Sequence, residues 1–190
     1  FGDSVVYGSG DHEGGGWVDR LKRYYLEKYN PPEAWVQVHN LGLGGDTTED
    51  ALKRFESECD KFVHVDIIIL GLGINDSAGV KEPNKVRVPE EQFRKNLVKL
   101  VELATRRTDN ILLLGLTPND DLKTNPKSWG SGEIYIKRER AKEYDKIIED
   151  VAREKKVHYI NLMGLLDIED LKDGLHPNSD GHRKIFEKVK

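Results

Sequence analysis

The chain has 190 residues and a formal net charge of −4, with 30 Lys and Arg interspersed among 34 Asp and Glu. That length fits one domain over residues 1–190, burying about 70% of the surface its unfolded form would expose; the mixed charge excludes the clustered basic face of a nucleic-acid partner. The single cysteine, Cys59, excludes an internal disulfide framework and a cysteine-based zinc site, and no apolar run approaches the length of a membrane span.

In chain order, the Gly14-Gly15-Gly16 run precedes a helical stripe of Trp17, Leu21, Tyr24 and Lys28. Trp35 to His39 is rich in branched and aromatic residues and predicts a strand. Leu52, Phe55, Cys59 and Phe62 form the next helical stripe, with Asp46 as its cap and Glu49 three residues on. Val65 to Leu70 and Ile111 to Leu114 are short apolar runs, each ending in glycine, as expected of strands covered on both faces. Between them Phe93, Leu97, Leu100 and Ala104 recur at helical spacing after Pro89, a residue suited to a first helical turn. Tyr144, Ile147, Ile148 and Val151 predict a further helix, Val157 to Ile160 a strand, and Ile185, Phe186 and Val189 a last helix starting at Ser179 or Asp180.

Strand and helix therefore alternate, which predicts an α/β fold: a parallel sheet of about five strands between two helical layers. The count requires a strand ending near Phe1, of which only the last residue or so lies in this sequence. No signal-peptide pattern is present, so the expected location is cytoplasmic, with an export signal upstream of Phe1 left open.

In an open parallel sheet the ligand sits beyond the carboxyl ends of the strands. Those ends deliver Gly2-Asp3-Ser4, the turn Asn40 to Asp46, Gly71 to Asp76, Thr117-Pro118-Asn119 and, after an irregular stretch, Asp173-Gly174-Leu175-His176. A serine hydroxyl becomes a useful nucleophile when a base removes its proton, and histidine is the usual base near neutral pH. The imidazole needs a third group to fix its tautomer, which Asp173 can supply. Backbone N–H groups and the Asn75 amide can serve the oxyanion.

GDS at 2–4, the glycine of GGDT at 44–47, GIND at 73–76 and DGLH at 173–176 resemble, in order, the four sequence blocks of the SGNH (GDSL) hydrolase superfamily. Val5 stands where the GDSL name has leucine. The resemblance implies a flavodoxin-like three-layer sandwich, with Ser4 as nucleophile, His176 as base and Asp173 as the orienting acid. It further implies an oxyanion hole from the Ser4 amide, the Gly45 amide and the Asn75 side chain, and no metal or organic cofactor. The partner it implies is a small-molecule ester, with no nucleic acid and no membrane span; oligomeric state is left open.

Other residues have plainer expectations. Asp3 and Asp76 tie loops through backbone amides, Asp180 is a cap candidate, and Cys59 belongs to the core. His12 borders the rim without a role, and His39, His64, His158 and His182 are surface or hydrogen-bonded polar residues. The GLGG turn completes neither G-x-G-x-x-G nor a P-loop, so nucleotide binding is disfavoured. The histidines lack metal-ligand spacing. The segments Ser77 to Pro89 and Thr117 to Glu133, the latter holding Trp129, are expected to overhang the site as polar loops. Their polarity favours a short acyl group. The reading from another class is a non-catalytic domain that holds a glycan or acylated ligand on the same fold.

Overall fold

The structure is a computed structural model that describes residues 1–29, 36–129 and 132–190, the side chain of Trp129 excepted. It begins with a helical turn, α1 (Ser4–Tyr7), which no periodicity announces. Asp3 caps it: the carboxylate accepts the Val5 N–H at 2.9 Å, and the Gly8 N–H returns to the Ser4 carbonyl. Then come α2 (Trp17–Lys28) and α3 (Thr48–Cys59). Helix α3 carries a capping box one residue later than expected, formed by Thr47 and Asp50. Asp46 is spent on the Arg54 guanidinium at 2.7 Å instead.

Strand β1 (Ile68–Leu70), the short β2 (Gly79–Val80) and helix α4 (Glu90–Ala104) follow, with Pro89 at the N-cap of α4. Next are β3 (Ile111–Leu114), the single turn α5 (Asp121–Thr124), β4 (Lys127–Trp129) and β5 (Gly132–Tyr135). The chain closes with α6 (Arg138–Lys155), β6 (His158–Ile160), a 3₁₀ turn at Ile168–Asp170, and α7 (Ser179–Val189). Asn178 caps α7 by accepting the Gly181 N–H at 2.9 Å, while Asp180 pairs with Arg183.

The main sheet is parallel, in the order β1-β3-β6, pairing Ile68 with Ile111 and Leu112 with His158. Alternate residues face opposite layers. Ile68, Leu70, Ile111 and Leu113 join the core formed with Phe55, Phe93, Leu97, Tyr144 and Ile148 of α3, α4 and α6. Ile69, Leu112 and Leu114 turn to Trp17, Val18, Leu21 and Ile185 of α2 and α7. Helices therefore cover both faces.

About five strands were expected; among the described residues the regular parallel sheet has three. Gly2 makes isolated parallel bridges to Gly42 and to Gly71, which places it between those two segments. The Phe1 amine donates to the Ile69 carbonyl at 2.8 Å, and the Gly71 N–H to the Phe1 carbonyl at 3.0 Å. A Cβ on Gly2 would lie 2.3 Å from the Gly71 carbonyl oxygen, so glycine permits this approach. Residues 36–39 form no strand, although Val36 and Val38 are half-buried and Gln37 and His39 exposed; Trp35 lies outside the described residues.

The two segments expected as overhanging loops are instead ordered into a second, antiparallel sheet, β2-β5-β4. Gly79 pairs with Tyr135, and Lys127 with Ile134. These strands are two to four residues long, with Pro83 and Pro126 in the segments that flank them, too short for period-two alternation to register.

Candidate active site

Ser4 opens α1 just beyond Gly2, so the Asp3 cap fixes where its side chain projects. His176 and Asp173 sit on the turn that leads into α7. That turn is closed by the Lys172 N–H on the His176 carbonyl at 2.8 Å and by a bridge between Leu171 and Pro177. Asp173 Oδ1 accepts the backbone N–H groups of Leu175 (3.1 Å) and His176 (2.8 Å). Its Oδ2 lies 3.0 Å from His176 Nδ1, and His176 Nε2 lies 3.0 Å from Ser4 Oγ. The carboxylate assigns the ring proton to Nδ1 and leaves Nε2 as the acceptor for the serine hydroxyl. Both Ser4 and His176 are buried.

Burial alone would raise the Asp173 pKa, but hydrogen bonds from His176 and Lys127 outweigh it and hold the carboxyl far below the usual range. It is therefore a carboxylate at any working pH. Lys127, on β4, donates to Asp173 Oδ2 at 2.6 Å and to the Asp173 carbonyl at 3.0 Å. Sequence reasoning missed this lysine, because it lies 46 residues away in a segment taken for a loop.

The Gly42 to Asp46 turn comes beside Ser4: its Leu43 N–H donates to the Gly2 carbonyl at 2.9 Å, and a Cβ on Gly44 would lie 3.9 Å from Ser4 Cβ. Gly45 has φ +86° and faces open space, a conformation side chains rarely adopt. Asn75 is buried, and its Nδ2 donates to the Asp46 carbonyl at 3.0 Å, tying the third block to the second. The Arg87 guanidinium holds the Gly45 carbonyl at 3.0 Å.

Other polar residues of the expected rim serve the frame. Asn119 is buried and donates to Asp121, Thr124 and the Ile136 carbonyl, so its amide braces the turn at α5. Asp76 accepts the Thr48 N–H and hydroxyl at the head of α3. His182 is buried, with Nδ1 accepting from the Trp17 N–H and Nε2 donating to the Ser9 carbonyl; burial lowers its pKa. His12, His39, His64 and His158 are exposed, and Cys59 is in the core.

Asp3 and Asp76 are titratable at an unusual place. Burial pushes the Asp3 carboxyl up to about 7 and the Asp76 carboxyl up to about 6, against hydrogen bonds from Val5 and Thr48 that pull the other way. A carboxyl whose folded pKa exceeds its unfolded one stabilises the fold fully below the unfolded value of 3.8. That contribution disappears as pH rises through the folded value. Asp3→Asn keeps an oxygen for the Val5 N–H but cannot ionise. Urea unfolding should find the variant gaining on the parent by on the order of 2–4 kcal/mol between pH 5 and pH 8. An unchanged difference at the two pH values would mean that Asp3 is already ionised at pH 5.

The sequence pattern of the GDSL-like Lipase/Acylhydrolase family matches residues 1–184. The chain belongs to that family. GDSL-like lipases and acylhydrolases are ester-cleaving serine hydrolases, and the fold agrees. The lipase/acylhydrolase of Enterococcus faecalis superposes with a TM-score of 0.76 at 25% identity, covering 100% of this chain and 92% of that one. Axe2, an acetylxylan esterase from Geobacillus stearothermophilus, superposes at 0.74 with 19% identity, covering 98% and 88%. Two forms of Axe2, with a serine and a histidine replaced by alanine, are described as catalytic mutants. A curated relative, an uncharacterized lipoprotein of Bacillus subtilis (YqeF), is 29% identical over 127 residues, 61% of this chain and 49% of that protein. The chain thus spans about half the length of the curated relative it matches. Among the described residues, no helix is long and apolar enough to cross a membrane.

Proposed function

We propose that residues 1–190 form one catalytic domain, an esterase that cleaves a carboxylic ester or thioester of short acyl chain through a serine acyl-enzyme. The observation that carries this reading is the continuous relay from Asp173 Oδ2 to His176 Nδ1 and from His176 Nε2 to Ser4 Oγ, with 3.0 Å at each step. In the first half, Ser4 Oγ attacks the acyl carbon while His176 Nε2 takes its proton. The developing oxyanion accepts from the Ser4 and Gly45 N–H groups and the Asn75 amide. Collapse breaks the acyl–oxygen or acyl–sulfur bond, and His176 returns its proton to the leaving alcohol or thiol. In the second half a water molecule loses a proton to His176 and attacks the acyl carbon. Ser4 leaves with that proton and a carboxylic acid is released. Protein groups and water supply every step.

The family assignment supports this scheme, as does the description of serine and histidine replacements as catalytic in Axe2. We read the Gly42 and Gly2 bridges as the inner ends of two further strands, giving the flavodoxin-like order of five. The cytoplasmic expectation draws no support from a relative named a lipoprotein. A short acyl group fits the polar composition of segments 77–89 and 117–133, which include Lys81, Glu82, Lys85, Asp120 and Lys123 and lack the apolar stretch a long chain would need. Across p-nitrophenyl esters from acetate to decanoate, kcat/KM should be highest for acetate and fall steadily with chain length. A maximum at octanoate or decanoate would overturn the short-chain assignment.

A further inference from the structure

We propose that Lys127 is a positioning residue for the Ser4–His176–Asp173 relay: its ammonium shares the carboxylate oxygen that orients His176 and so sets the pH at which that imidazole can act as a base. This rests on the esterase reading above. The geometry is specific. Lys127 Nζ lies 2.6 Å from Asp173 Oδ2, the oxygen that also accepts His176 Nδ1 at 3.0 Å, and 3.0 Å from the Asp173 carbonyl. It thus holds both the carboxylate and the backbone of the residue that aims the base.

Most other lysine pairs in the molecule join helical neighbours three or four residues apart at the surface, such as Lys53–Asp50 and Lys95–Glu91, where salt and water screen the charge. Lys127 instead arrives from the second sheet, with its side chain 16% exposed. The β2-β5-β4 sheet therefore brings the Lys127 ammonium to the relay.

The electrostatic consequence follows from the shared oxygen. A carboxylate beside an imidazole stabilises the imidazolium; a cation on the same oxygen offsets part of that effect. The base then stays neutral, and able to take the serine proton, to lower pH. The other groups facing this region act more weakly or cancel. Asp3 interacts with His176 through space and is neutral below about 7. His182 is buried, which lowers its pKa and disfavours its charged form. Asp120 and Lys123, packed at Gly174, face each other at 3.5 Å. Lys172 is exposed to solvent.

The test compares the parent with Lys127→Met, Lys127→Gln and Lys127→Arg. Two readouts are needed: the pH profile of kcat/KM on p-nitrophenyl acetate, and an NMR titration of the His176 Cε1–H signal, assigned by its loss in His176→Asn. In the Met and Gln variants the acidic limb and the NMR midpoint should both move to higher pH by about one unit. Lys127→Arg should keep both near the parent values. If the Met variant does not fold, the Gln variant, which keeps a hydrogen-bonding head, carries the comparison. An equal loss of kcat/KM at every pH with an unmoved midpoint would reduce Lys127 to a structural prop and overturn the proposal. Absence of turnover by the parent would sink the esterase reading alone, since the NMR titration still decides the role of Lys127.

Discussion

Ser4→Ala should lower kcat/KM on p-nitrophenyl acetate by about 10⁶-fold without loss of the fold. The hydroxyl is the attacking atom in the proposed scheme, and its removal leaves water, poorly placed, as the only nucleophile. Folding should survive because the cap of α1 belongs to Asp3, whose bond to the Val5 N–H does not involve the serine oxygen. His176→Ala should cost about as much, and the double variant hardly more, because nucleophile and base act as one unit. What remains reflects the oxyanion donors. The measurement is initial rates on the purified parent and variants, with near-UV circular dichroism as the check on folding. Activity in Ser4→Ala within tenfold of the parent would remove the serine mechanism.

Asp173→Asn should lower kcat/KM by about 10⁴-fold, for a reason specific to this turn. Two backbone N–H groups converge on Oδ1, while the His176 ring and the Lys127 ammonium converge on Oδ2. An asparagine presents one oxygen and one NH₂. With its oxygen toward the backbone, the NH₂ faces both Lys127 and Nδ1, which forces the ring proton onto Nε2 and disarms the base. With its oxygen toward Lys127, the NH₂ collides with two backbone donors and the turn must shift. Either outcome spoils the relay, and rates at saturating substrate separate a damaged chemical step from weakened binding. A loss of less than tenfold would mean that Asp173 does not orient the imidazole.

The alternation of strand and helix was readable because the apolar runs of β1 and β3 pack against helices on both faces and end in glycine, and β6 showed through its branched and aromatic residues although His158 is exposed. The buried stripes of α2, α3, α4 and α6 were readable for a similar reason, since one face of each meets the sheet. The capping of α3 was misplaced by one residue because Asp46 and Thr47 are both competent caps, and only the distant Arg54 decides between them. The second sheet was invisible, since each strand is too short for a period to accumulate and β2 meets β5 from a distant part of the chain, although β4 and β5 are sequence neighbours. Ser4, Asp173 and His176 could be put forward as candidates because their residue types and order resemble the family's blocks, and they lie within hydrogen-bonding reach of one another. Lys127 could not, because an isolated lysine before a serine carries no local sign of the carboxylate it will meet. Asn119 was placed at the rim by its position after β3, yet three acceptors draw its amide inward.

The serine and the histidine that meet at 3.0 Å are separated by 172 positions along the polypeptide. In the proposed scheme the nucleophile and its base therefore meet only through long-range folding, so a chain without tertiary structure carries neither an activated hydroxyl nor an aimed imidazole. The relay closes when the turn ahead of α7 docks against α1. On that scheme, recovery of turnover after unfolding reports the docking of these two distant segments.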